Sequence, residues 1–274
     1  MFYRTLFIAA FSLLILFSSP IANAQEVRIY TRIYDQSTKQ PAIVGRTLAL
    51  FRAGKVYDHI DSMGEVIIFE PMRSRFTILN TRRALATTIH FDEINRMLKS
   101  ARQVSQEHLR KLQQRDDADG VAASKFLRHQ LNPQFTTHFD RKTKHLTLSS
   151  PHLRYDARIK QVENKEFAET YRLYADWMNR LNYVLHPRML LPGPRLKLNE
   201  QLHRHQSIPV EVTLRVNLKR PIHLRAEHQI QWSMFEQDRA QLNEWKSLLN
   251  DRTTRKLTFR EYQRELAKKS VSRR

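Results

Sequence analysis

Residues 41–91 read PAIVGRTLALFRAGKVYDHIDSMGEVIIFEPMRSRFTILNTRRALATTIHF. The stretch divides into AIVGRTLALF (42–51), AGKVYDHI (53–60), EVIIFEP (65–71), RSRFTILN (73–80) and ALATTIHF (84–91). Each piece has strand length, is rich in β-branched and aromatic residues, and is bounded by glycine, proline or charged residues. Ala53-Gly54 and Met63-Gly64 supply tight turns. The spacing predicts an antiparallel meander.

The second strand of the sheet has two largely apolar rows. Val44, Arg46, Leu48 and Leu50 form one; Gly45, Thr47, Ala49 and Phe51 form the other. Such a strand is expected to be covered on both faces. Arg46 is then the odd residue: buried, it would need acceptors on whatever covers it; at a strand end it would reach water. Before the meander, Val27, Ile29, Thr31 and Ile33 alternate with Arg28, Tyr30, Arg32 and Tyr34, the pattern of a half-buried strand. The Arg/Tyr row could grip an acidic polymer or could be a solvated face with cross-strand pairs, and the second reading is preferred.

Apolar residues at helical spacing follow Asp92 as far as Leu112, and a second helix is expected over about 121–131, stopping before Pro133. Strands resume with Phe135–Phe139, Leu146–Leu148 and Leu153–Ile159. Residues 163–186 predict a long helix whose stripe carries Phe167, Tyr171, Tyr174, Trp177, Met178 and Leu181. One or two helical turns are expected in LKLNEQL (196–202). Two strands, 210–218 and 222–232, form a hairpin about Pro221. Ser233-x-x-Glu236 and Thr258-x-x-Glu261 fit the capping box of two closing helices. The fold class is thus α+β: a strongly curved, mostly antiparallel sheet of about eleven strands, an unclosed barrel, wrapped on helices, with extra C-terminal helices.

The first residues read as a secretory signal. Arg4 is the positive end, Leu6–Phe17 an apolar run too short to span a bilayer, and Ala22-Asn23-Ala24 a small-x-small cleavage site. The expected organisation is a signal at 1–24, one α+β domain at 25–269 (sheet and helices to 232, C-terminal helices 233–269), and a basic tail at 270–274. The expected location is the periplasm or the extracellular space.

Cysteine is absent, which removes disulfides, thiolate metal sites and thiol catalysis. Lys+Arg is 47 against 27 Asp+Glu, a net charge of +20 that favours anionic partners without choosing among them. With 5 glycines there is no glycine-rich phosphate loop. No G-x-S-x-G, H-E-x-x-H or S-x-x-K motif occurs, so no catalytic residue is named and the chain is read as a non-enzymatic protein. No cofactor is implied. His203-x-His205 lacks the further ligands that zinc requires, and solvated histidines are expected. Asp176 and Arg180 are expected to pair one helical turn apart. Nucleic acid fits poorly with an exported address.

The element order across residues 27–232, an exported chain of about eleven mostly antiparallel strands with intervening helices, resembles the lipoprotein carriers LolA and LolB. That resemblance implies an unclosed barrel around plugging helices, with an acyl chain held between them and an arginine latching the helical lid. Family members carry a helix before the first strand and lack helices after the last, unlike Ser233–Lys269 here. The residues that would line such a space are Phe51, Phe69, Phe76, Ile78, Trp177 and Met178, with Arg46 as a lid contact. Complete packing would make the same residues plain core. The leading expectation is therefore an envelope protein binding an amphipathic ligand, a lipid or a lipoprotein acyl chain. A basic scaffold for an anionic envelope polymer or partner protein, and a hydrolase whose site forms only in three dimensions, stay open.

Overall fold

The computed structural model describes residues 26–38, 40–186 and 189–271. The expected signal segment, its expected cleavage site and the end of the basic tail lie outside them. The elements are β1 (Val27–Asp35), β2 (Ala42–Arg52), β3 (Lys55–Ile60), β4 (Glu65–Glu70), β5 (Arg75–Asn80), β6 (Leu85–His90), α1 (Phe91–Gln113), α2 (Ala118–Leu131), β7 (Thr136–Asp140), β8 (His145–Ser149), β9 (Leu153–Gln161), α3 (Lys165–Leu185), α4 (Gly193–Arg204), β10 (Ser207–Val216), β11 (Ile222–Gln231), α5 (Glu236–Asn250), β12 (Arg255–Leu257) and α6 (Phe259–Val271).

Among the described residues, twelve strands join one sheet in the order β12-β6-β5-β4-β3-β2-β1-β11-β10-β9-β8-β7. Every pairing is antiparallel except β12 on β6. β12 and β7 are its two edges, so the sheet is unclosed. The meander of 42–90 is β2–β6. At its first hairpin Arg52 pairs with Lys55 across Ala53 and Gly54, whose φ values of 50° and 70° fit a two-residue turn with both central residues left-handed.

Side-chain alternation sorts the sheet into two faces. The inner face carries Val27, Ile29, Ala49, Phe51, Val56, Ile67, Phe69, Phe76, Ile78 and Ile89, which form one core with α1, α3 and α6. Further along it, Leu146, Leu148, Tyr155, Val212 and Val216 pack with Leu198 and Leu202 of α4 and Phe126 of α2. The outer face carries Leu48, Leu50, Tyr57, Val66, Ile68, Leu79 and Ala86, covered by Leu242 and Trp245 of α5. The C-terminal segment therefore wraps the β6 edge: α5 on one face, β12 alongside, α6 on the other.

Several expectations are corrected. The sheet of about eleven strands is present and the described residues add a twelfth, because three residues after α5 form a parallel partner to β6. Run length that short carries no periodicity. LKLNEQL belongs to a full helix, α4, entered through Pro194 in its first turn. α2 begins at Ala118, because the Asp117 carboxylate accepts the Gly120 N–H and caps it. Ser233 does not cap α5. The helix starts at Glu236, and Asp238 accepts the Phe235 N–H at 2.9 Å. Thr258 and Glu261 form the expected box: Glu261 accepts from the Thr258 N–H at 2.9 Å. Phe91 opens α1 instead of closing β6.

Candidate ligand-binding groove

The six residues expected to line an interior space pack against one another and their covers. Phe51 meets Phe167 and Tyr174 edge-on, with centroids 5.1 and 5.4 Å apart. Phe69 lies 5.3 Å from Phe76 and 5.8 Å from Phe91. Trp177 stacks on Phe91 at 3.8 Å. Phe51, Phe69, Phe76, Ile78 and Met178 are buried and Trp177 is partly buried against them. The space bounded by Tyr171, Asn199 and Leu202 between α3 and α4 holds about 10 Å³, room for about one water. These side chains are core.

Arg46 is exposed, as are Ile43 and Val44. Coverage of β2 on both faces holds only for Leu48–Phe51, where α3 and α5 lie over it; toward Ala42 the strand runs beyond both helices. Arg46 sits opposite Arg32 on the uncovered part of the outer face, so it does not latch the inner-face helices. The Arg/Tyr row of β1 makes cross-strand pairs: Arg32 to Glu227 at 3.1 Å and Tyr34 to Glu227 at 3.2 Å. Arg28 turns to Asp238 of α5 at 3.1 Å. Asp176 pairs with Arg172, one turn before it, and with Asn199 of α4; Arg180 instead lies over the Trp177 ring. The His205 ring lies tilted against Phe139 with centroids 4.0 Å apart, and His203 lies 3.9 Å from Glu169. Among the described residues no three His, Asp or Glu gather as a metal site, and no helix is long and apolar enough to cross a membrane.

The outer face holds a groove of about 620 Å³ beyond the C-terminal turn of α5. Strand register builds one wall. Lys55 and Arg52 flank the β2–β3 hairpin, Glu70 pairs with Arg75, and Lys55 lies one strand from Glu70. The 3-10 turn Pro71–Arg73 joins β4 to β5 and adds Arg73. The other wall comes from Lys246, Leu249 and Asn250 of α5 with Lys256 and Leu257 of β12. Tyr57, Ile68 and Ala86 form the floor, continuous with the core under α5.

The charges in this groove are lopsided. Lys55, Arg73, Arg75, Lys246 and Lys256 line it, with Glu70 the acidic residue among the described lining. Glu70 is buried and gathers three of the cations: Lys55 Nζ at 2.7 Å, Arg75 Nε at 2.9 Å and Arg73 at 3.6 Å. Thr77 also donates to it at 3.1 Å. Burial alone would raise its carboxyl. The hydrogen bonds and charges of Lys55 and Arg75 outweigh that and hold it below the usual range. Lys256 donates to the Leu249 carbonyl, while Lys246 is exposed. The groove can therefore take an anionic group at its rim and an apolar one on its floor.

The Lys55–Glu70–Arg75 row was within reach of the sequence. The hairpin turns fix the register, and Lys55, Glu70 and Arg75 then fall on one face. Lys246 and Lys256 reach the groove only because the chain wraps the β6 edge, which no local pattern announces. The chain matches no family model and no curated protein.

Proposed function

We propose that this chain is an exported, non-enzymatic binding protein for an anionic amphiphile, held in the outer-face groove. The observation that carries the reading is the convergence of five cations on one groove, with an apolar floor of Tyr57, Ile68 and Ala86 and with Leu249 and Leu257 in its wall. A volume of this size falls within the roughly 300–1,000 Å³ of small-molecule sites, which are apolar with a few oriented polar groups. The net charge of +20 raises the local concentration of anions around it. The exported address rests on Arg4, the apolar run to Phe17 and Ala22-Asn23-Ala24.

The lipid-binding expectation thus keeps its ligand class and moves to the other face of the sheet. The polymer-scaffold alternative draws less support. Its best surface is the uncovered outer row Arg46, Arg32, Glu227, Glu211 and Arg158, where the acids already pair with the arginines.

Calorimetric titration with decyl phosphate, decyl glucoside and inorganic phosphate tests the reading. Decyl phosphate should bind at least about ten-fold more tightly than either half-probe, since both charge and chain contribute. Reversing Lys246 and Lys256 to Glu together should remove that preference. Equal binding of the charged and uncharged amphiphiles, or indifference to the double reversal, overturns it.

A further inference from the structure

We infer that the end of the sheet carrying Met72, Trp232 and Phe235 is a docking surface for an anionic lipid bilayer. Register places Met72 and Trp232 at one end of the sheet, and the Arg28 guanidinium over the Phe235 ring places Phe235 there too. Glu70 pairs with Arg75 around the turn that holds Met72; Arg52 pairs with Lys55; Val27 pairs with Phe51; and Arg28 pairs with Gln231, the residue before Trp232. All these pairs lie at one end of adjacent strands. β11 and β4 are four strand spacings apart, so Trp232 and the Met72 turn stand about 19 Å from each other.

Met72 is 93% exposed at the tip of its turn, Phe235 50% and Trp232 41%. Large apolar side chains projecting from separate turns at one end need a partner that is broad and adaptable. Each aromatic carries a cation on its ring: Arg28 lies 5.3 Å from Phe235, and Lys160 5.7 Å from Trp232. Arg73 flanks Met72 and is itself exposed. Apolar wedges and aromatics among lysines and arginines match the boundary between headgroups and acyl chains. Three acids at this end are paired, Glu26 by Arg52 and Arg239, Glu70 by Lys55 and Arg75, and Asp238 by Arg28, while Glu236 beside Phe235 and Asp92 beside the Met72 turn are exposed. Arg73 and Lys160 are exposed beside Met72 and Trp232, and with the chain's net charge of +20 they favour an anionic leaflet as the partner.

The docking surface also deepens the proposed function. Lys55, Glu70, Arg73 and Arg75 line the groove and belong to this same end. A docked protein would have its groove mouth against the leaflet, where an anionic amphiphile is found. That last step rests on the groove reading; docking does not.

The absence of cysteine permits a position-specific test. The protein as recovered from expressing cells, its N-terminus read by mass spectrometry, is labelled with the fluorophore NBD through Met72→Cys. A second preparation is labelled through Met63→Cys, at the opposite end of the sheet and 43% exposed. Vesicles of phosphatidylcholine with about 30% phosphatidylglycerol are added without any amphiphile. NBD at 72 should brighten several-fold and shift to the blue, while NBD at 63 should not change. Adding Arg73→Glu should weaken the response about ten-fold, as should raising salt from 0.1 to 0.5 M. No response at 72, an equal response at 63, or an equal response with pure phosphatidylcholine overturns the inference. So does self-association by light scattering that Met72→Asp abolishes, because the occupant would then be a second copy. If position 72 responds but decyl phosphate fails to bind, only the groove reading falls.

Discussion

The hydroxyl of Tyr174 on α3 donates to Oδ2 of Asp58 on β3 at 2.6 Å, inside the main core. Asp58 is buried and its Oδ1 has no partner among the described residues. Burial pushes its carboxyl up to about 6, and the Tyr174 bond only partly opposes this. On the same face, His228 of β11 lies 2.8 Å from the Thr31 hydroxyl through Nδ1. His228 as a whole is half-buried, but its Nε2 is buried and without partner among the described residues. Burial, and then the Arg195 charge, push it down to about 4.

The two groups pull stability in opposite directions over nearly one pH window. Asp58 is protonated more readily folded than unfolded, so its contribution falls as pH rises from about 3.8 to 6. His228 is protonated less readily folded than unfolded, so its contribution falls as pH drops from about 6.5 to 4. Asp58→Asn should therefore stabilise the protein at pH 7 by on the order of 2–3 kcal/mol, with no gain left near pH 3.5. It should also steepen acid destabilisation between pH 6.5 and 4. His228→Asn should give the mirror image, losing stability as pH rises from 4 to 6 relative to the parent. Denaturant melts across pH 3.5–7 check this; variant profiles parallel to the parent would refute it.

Truncating the wall residues tests whether they are core. Phe69 is fully buried among Phe76, Phe91 and Tyr174. Phe69→Ala should cost about 3–5 kcal/mol, the range for a large aromatic removed from a packed core. Lining residues of an empty container would tolerate truncation far better. A loss below about 1 kcal/mol by chemical denaturation would mean that the space beside β4 is not filled.

The sequence displayed what repeats over several residues. Alternation in 27–34 and 42–90 marked both faces of the first six strands, and the stripe from Phe167 to Leu181 marked the inner cover. What stayed hidden depends on pairing between distant segments. Leu48 and Leu50 were read as covered, but their cover, Leu242 and Trp245, is nearly 200 residues away. Arg46 shares their row and differs only in lying beyond the helix that covers them. The apolar lining chosen from the sheet and the helix stripe packs as core, because aromatic rings on both sides fit closely. The groove escaped because its cationic wall is shared among β3, β5, α5 and β12, none of which is basic enough alone to stand out.

Glu70 should show opposite effects on stability and on ligand affinity. Its carboxylate holds Lys55, Arg73 and Arg75 together, and its pKa lies below the usual range. Its contribution is present above the unfolded value near 4.5 and is lost as pH falls through the lower folded value. Glu70→Gln should destabilise the protein at pH 7 by about 1–3 kcal/mol, because three cations lose their shared partner. The same change removes the one acidic side chain in the described lining, so decyl phosphate should bind several-fold more tightly. Weaker binding together with an intact fold would place the anion elsewhere.

A buried hydrogen bond anchors the last helix of the C-terminal wrap. The Tyr262 hydroxyl of α6 donates to Oε1 of Glu65 at the start of β4 at 2.5 Å, and both side chains are buried. Burial and the neighbouring Glu65 carboxylate push the Tyr262 phenol well above its ordinary value, so it stays a proton donor throughout the stable range. Tyr262→Phe keeps the ring in the core and leaves the Glu65 oxygen without this donor. A buried acceptor stripped of its partner costs about 1–3 kcal/mol, more when it is charged. Because α6 lies on the inner face and β12 precedes it, loss of this anchor should loosen both. Amide exchange should quicken in α6 and in the β12–β6 pairing, while β7–β9, at the far edge, keep their protection. Uniform quickening across all strands would mean that the wrap is no separate unit. No change in α6 would mean that its apolar contacts, Phe259 and Leu266, hold it without the bond.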